Sequence, residues 1–194
     1  SGMIYVWDAG NGVIRTVSRE GSTSTWGAPE KQCDLYGVVA AGEIKKVQEL
    51  GACRFLQLAV DKDNNIYASK EGYIFKISPI GSVSVFSDLT SYSKYNEYYS
   101  SVAIQGMVIS EDGIMYASYA TSDMSNAQKS AIFKITPTGK SSLFSGSLSA
   151  AGHRDGMGTE ALFSNPKGMV LDSKGNLYVL DDKYLLPSVV TGPT

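Results

Sequence analysis

The chain has 194 residues, 17 of them basic and 19 acidic, for a net charge of -2 at pH 7. That length buries a substantial core as one domain, and no block of Lys and Arg is dense enough to track a row of phosphates, so nucleic acid is not expected as a partner. The longest apolar runs are far too short to span a bilayer, while 20 Gly and 12 Tyr beside many Ser and Thr favour strands joined by turns.

Ser1-Gly2-Met3 reads either as a mature end after signal removal or as an expression scar before a starting methionine, and is set aside from the fold. The first element is an apolar strand ending in a tyrosine and a small residue, Ile4-Tyr5-Val6. An alternating strand follows at Val13–Val17, then a turn at Gly21 and a strand closing on Trp26. Leu56–Val60 opens a second, fuller copy: the turn Asp61-Lys62-Asp63-Asn64-Asn65, the tyrosine strand Ile66-Tyr67-Ala68, the alternating strand Tyr73–Ile77, a turn at Gly81 and a strand reaching Phe86. The same order returns in Gly106–Ile109, Ser110–Gly113, Met115-Tyr116-Ala117, Ala131–Ile135, Gly139 and Phe144. It begins once more in Gly168–Leu171, Asp172–Asn176 and Leu177-Tyr178-Val179, with a third strand predicted near Leu185–Val190.

The unit is four antiparallel strands, a to d, in approximate repeats 3–27, 54–88, 102–146 and 162–190. A repeated four-stranded meander cannot bury both faces of each sheet alone, and radial packing of the sheets solves this. The predicted fold is therefore all-β, a β-propeller of about four four-stranded blades within one domain spanning 1–194. An immunoglobulin-like sandwich would not carry internal copies of one motif. No copy has a sustained helical period, which excludes helical solenoids.

The run Gly156-Met157-Gly158-Thr159-Glu160-Ala161-Leu162-Phe163-Ser164-Asn165-Pro166-Lys167-Gly168, continuing through Asp172 and Gly175-Asn176-Leu177-Tyr178-Val179-Leu180-Asp181, resembles an NHL repeat over nearly its full consensus. Residues 4–15 resemble its second half, and the copies at 56–88 and 104–146 match more weakly. The resemblance implies a propeller whose usual role is to bind other macromolecules. Related propellers include lactonases and lyases, and the family includes RNA binders, a reading that the charge disfavours.

No catalytic or metal constellation and no cofactor motif stands out. Asp61-x-Asp63-x-Asn65 resembles the start of a calcium loop, but Ile66 replaces its glycine and Gly72 its glutamate, so a hairpin turn is the better reading. His153 is the single histidine and lies in a polar loop, Gly152-His153-Arg154-Asp155-Gly156, with no nucleophile elbow in the chain. Cys33 and Cys53 match no zinc or redox spacing. A disulfide between them, which would contribute roughly 3 kcal/mol, and two buried thiols both remain open.

In a meander the b–c and d–a connections share one face. That face collects Tyr92, Tyr95, Tyr98 and Tyr99, a polar insertion from Tyr119 to Ser130, and the loop carrying His153, Arg154 and Asp155. Tyrosines offer wide amphipathic surface at low entropy cost, so this is the predicted contact face for a protein or a glycan. The leading expectation is a non-catalytic binding or assembly module, extracellular or at the cell surface; the alternative is a lactonase-type hydrolase. The first copy lacks strand a and the fourth lacks a recognisable strand d, so the ring is expected to be completed by neighbouring copies of the chain.

Overall fold

The computed structural model describes residues 2–8, 10–11, 13–26, 57–80, 82–92, 101–122 and 128–182, together with the backbone of 37–40 and 43–46. The first sheet holds β1 (Ile4–Asp8), β2 (Val13–Val17) and β3 (Thr23–Thr25). A separate hairpin follows, β4 (Gly37–Ala40) and β5 (Glu43–Lys46), which the sequence reading does not contain because Gly37-Val38-Val39-Ala40 has no alternation. The second sheet is β6 (Leu58–Val60), β7 (Ile66–Lys70), β8 (Tyr73–Ile77) and β9 (Val83–Asp88). The third is β10 (Ser101–Ile109), β11 (Met115–Ser122), β12 (Gln128–Ile135) and β13 (Ser141–Ser147). In the fourth, β14 (Pro166–Leu171) pairs with β15 (Leu177–Asp181).

Every sheet is antiparallel with its strands in chain order, and the first, second, third and fourth sheets pack each on the next. This is an all-β fold of propeller type. Among the described residues the fourth sheet does not pack back on the first, so the blades form an open arc.

Register explains how the blades stack. In β7, Ile66 and Ala68 point to one face and Tyr67 and Ser69 to the other, as pleating demands. Ile66, Ala68, Phe75 and Ile77 pack on Tyr5, Trp7 and Ile14 of the first sheet. The opposite face, with Tyr67 and Ile74, packs on Met115, Ala117, Phe133 and Ile135 of the third. Each buried Ile or Phe contributes about 1.5–3 kcal/mol, so these dry layers between blades are the core. The rule is constant: the tyrosine-bearing face of one blade covers the apolar face of the next.

Two polar contacts repeat with it. Ser69 Oγ donates to the carbonyl of Ile104 in the third sheet, and Ser118 Oγ, at the equivalent place, donates to the carbonyl of Lys167 in the fourth. A bulge between Ile74 and Phe75 has its counterpart between Ile132 and Phe133, and bulges add the local twist that lets successive blades fan out. Close approach also fixes Gly106, where an added Cβ would lie 1.9 Å from the Lys167 carbonyl oxygen.

Candidate interaction surface

The a–b turns show what the acidic residues do. Asp61 Oδ1 accepts the backbone N–H groups of Asp63 and Asn65, both at 2.9 Å. Its Oδ2 accepts Asn65 Nδ2 at 2.7 Å and the Tyr67 hydroxyl at 3.1 Å. The turn after β14 repeats the arrangement, with Asp172 accepting from the N–H groups of Lys174 and Asn176, from Asn176 Nδ2 and from the Tyr178 hydroxyl. In the third sheet Ser110 takes the position, its hydroxyl bonded to Asp112 and to the Ile114 carbonyl. Asn64, Gly113 and Gly175 occupy the same left-handed position, at φ 61°, 82° and 82°. The calcium-like run is thus a hairpin whose carboxylate is already engaged, with Ile66 buried behind it.

An open groove of about 660 Å³ lies between the turns of the third and fourth sheets, lined by Val108, Ser110, Asp112, Val170, Asp172 and Gly175. Its carboxylates belong to those turns: the Ser110 hydroxyl holds the Asp112 pKa down, and the Asn176 side chain does the same for Asp172. Among the described residues no three His, Cys, Asp or Glu side chains gather as a metal site, and no helix is long and apolar enough to cross a membrane.

On the b–c and d–a face, two predicted contact residues turn inward. Tyr119 is 0% exposed, its ring 5.2 Å from that of Phe133, and burial pushes its pKa up to about 12. It belongs to the core because β11 runs on to Ser122, so Tyr119 alternates inward with Met115 and Ala117 instead of opening an insertion. Tyr92 is half-buried, its ring centroid 4.5 Å from Phe133 and its hydroxyl donating to the Ser141 carbonyl at 3.2 Å. It ties the d–a connection of the second sheet to the third. Tyr95, Tyr98, Tyr99, Cys33, Cys53 and the strand predicted near Leu185–Val190 lie outside the described residues.

His153, Arg154 and Asp155 are exposed, as predicted for a loop. That loop is folded on itself. Arg154 and Leu162 exchange backbone hydrogen bonds of 3.3 and 2.9 Å, and Arg154 Nε donates to the Glu160 carbonyl at 2.9 Å. Ser145 Oγ donates to the Gly158 carbonyl, anchoring the loop to β13, and Met157 projects 86% exposed. Where it joins β14, the Asp181 carboxylate accepts the N–H groups of Ser164 and Asn165.

One surface escapes the sequence reading. Val170 and Tyr178 are cross-strand partners, and with Leu180 on the same face they are 62%, 58% and 64% exposed. The equivalent Tyr67 is only 5% exposed. A signal was present in the chain: Leu180 stands where β7 and β11 carry Ser69 and Ser118.

No family model matches the chain, and no curated protein matches it. Among solved structures, it is similar to a structural genomics protein of unknown function from Bacteroides thetaiotaomicron VPI-5482, at 15% identity and a TM-score of 0.37, over 93% of this chain and 50% of that one. A protein of unknown function from Bacteroides caccae is similar at 14% identity and a TM-score of 0.43, over 91% of this chain and 49% of that one. The chain spans about half the length of the solved structures it matches.

Proposed function

We propose that the chain is a non-catalytic β-propeller of the NHL-repeat kind, acting as a protein-binding and assembly module with other copies of itself among its partners. The observation that carries this reading is the apolar strip of Val170, Tyr178 and Leu180 on the fourth sheet, of a type that the other blades cover. Contiguous exposed apolar surface of this kind marks an interaction site. The pre-ordered loop with Arg154, Asp155 and Met157 adds a second exposed feature at low ordering cost. Asp61, Asp172 and Asp181 support the same reading, since their carboxylates are engaged by local N–H, amide or hydroxyl donors.

Sedimentation velocity over a wide concentration range tests it, alongside a panel of lactones and esters. Mass that rises with concentration and no turnover is the expected result. A monomer at every concentration, with turnover on the panel, overturns the proposal in favour of the hydrolase.

A further inference from the structure

We propose that Asn11 is a site of spontaneous deamidation, and that its product converts the turn joining β1 to β2 from a hydrogen-bonded loop into one with two facing carboxyl groups. Asn11 is exposed in that turn. It is also the one asparagine of seven that a glycine follows. Deamidation depends on that pair: the backbone nitrogen of the next residue attacks the side-chain amide carbon, a carbon–nitrogen bond forms, and the amide nitrogen leaves as ammonia. Water then opens the cyclic succinimide at either carbonyl, giving aspartate or isoaspartate. A side chain on the following residue shields the attacking nitrogen and restricts the backbone, whereas glycine does neither. Ile66 and Leu177 follow the turn residues Asn65 and Asn176, and Pro166, which has no N–H, follows the buried Asn165.

The geometry of the turn gives the modification its consequence. Asn11 Nδ2 donates to Asp8 Oδ2 at 2.8 Å, and the Asn11 N–H donates to the Asp8 carbonyl at 3.2 Å and to Asp8 Oδ1 at 3.3 Å. The side-chain bond is the main cause that holds the Asp8 pKa below the ordinary carboxyl value. Deamidation replaces that donor with a carboxylate, so Asp8 loses the bond and meets a like charge. Arg15 Nη1, at 3.8 Å, stays as its counter-charge. The isoaspartate product also routes the main chain through one more carbon, inside a turn whose ends are fixed by the Asp8↔Val13 pair. The first blade therefore loosens at that end of its hairpin.

Ageing of the full wild-type chain tests the site without any substitution. The protein is held for weeks in mildly alkaline buffer at physiological temperature, then mapped by peptide mass spectrometry and labelled with an isoaspartyl methyltransferase. Asn11 is expected to convert ahead of every other asparagine, to a mixture of aspartate and isoaspartate. Asn11→Gln is expected to abolish the early label, and Gly12→Ala to slow conversion at Asn11 several-fold. Asn11→Asp reproduces the aspartate product, and in it the Asp8 carboxyl, followed by NMR titration, is expected to ionise at higher pH than in the wild type. Circular dichroism checks that the exposed substitutions keep the fold. An Asn11 that stays intact, or that converts after another asparagine, overturns the proposal, and so does a rate that Gly12→Ala leaves unchanged. An unchanged Asp8 titration in Asn11→Asp overturns the stated effect on the turn.

Discussion

Replacing Asp61 with alanine takes away the acceptor for four hydrogen bonds, and the structure indicates which of them matters. The Asp63 N–H is at the exposed tip of the turn and rehydrates readily; Asn65 is half-buried and recovers part of its loss. The Tyr67 hydroxyl is different. Its ring is 5% exposed and packed edge-on against Phe86 at 4.8 Å, so the hydroxyl keeps its desolvation cost without a partner. A buried donor left unsatisfied costs about 1–3 kcal/mol, and with the Asn65 contribution the expected loss is about 2–3 kcal/mol. For a chain of this length that lowers Tm by about 4–12 °C. Adding Tyr67→Phe to the Asp61→Ala variant is expected to recover part of the loss, because the orphaned hydroxyl is removed. Urea or thermal unfolding measures both. A stability within about 0.5 kcal/mol of wild type for Asp61→Ala, or no recovery in the double variant, refutes the reasoning. Acid reports on the same group. Burial works against ionisation of Asp61, but the Asn65 side-chain and backbone donors, with Tyr67 and Asp63, outweigh it and hold its pKa below the ordinary carboxyl value. Its contribution is fully present above about pH 4 and is lost as pH falls through the lower folded value. Asp61→Asn flattens that slope.

Tyr119→Phe is expected to leave stability unchanged or raise it by up to about 1 kcal/mol, since the Tyr119 hydroxyl is buried with no hydrogen-bond partner among the described residues; a clear loss in chemical denaturation contradicts its placement in the core. Gly106→Ala is expected to destabilise by about 2 kcal/mol or more, because the new methyl would meet the Lys167 backbone oxygen. Wild-type thermal stability of this variant refutes the close seating of the fourth sheet on the third.

The chain alone determined the described strands of the four blades and their order, though not the β4–β5 hairpin, because those signals are local. Tyr73–Ile77 and Ala131–Ile135 alternate as half-buried strands do, and Asp61–Asn65 and Asp172–Asn176 carry the side chains that close their own turns. The exposed loop at His153, Arg154 and Asp155 was legible for the same reason. Tertiary structure decided which connections end in loops and which extend as strand. Tyr119 reads as the edge of a polar insertion, yet strand pairing continues through Thr121↔Lys129, and pleating then turns its ring inward. Tyr92 sits in a Tyr-rich run, but only the neighbouring blade supplies Phe133 and the Ser141 carbonyl that draw it in. Tyr67 and Tyr178 share one local motif and one pattern of turn hydrogen bonds. Their exposure differs because burial depends on a covering blade, which residues distant in the chain supply to Tyr67.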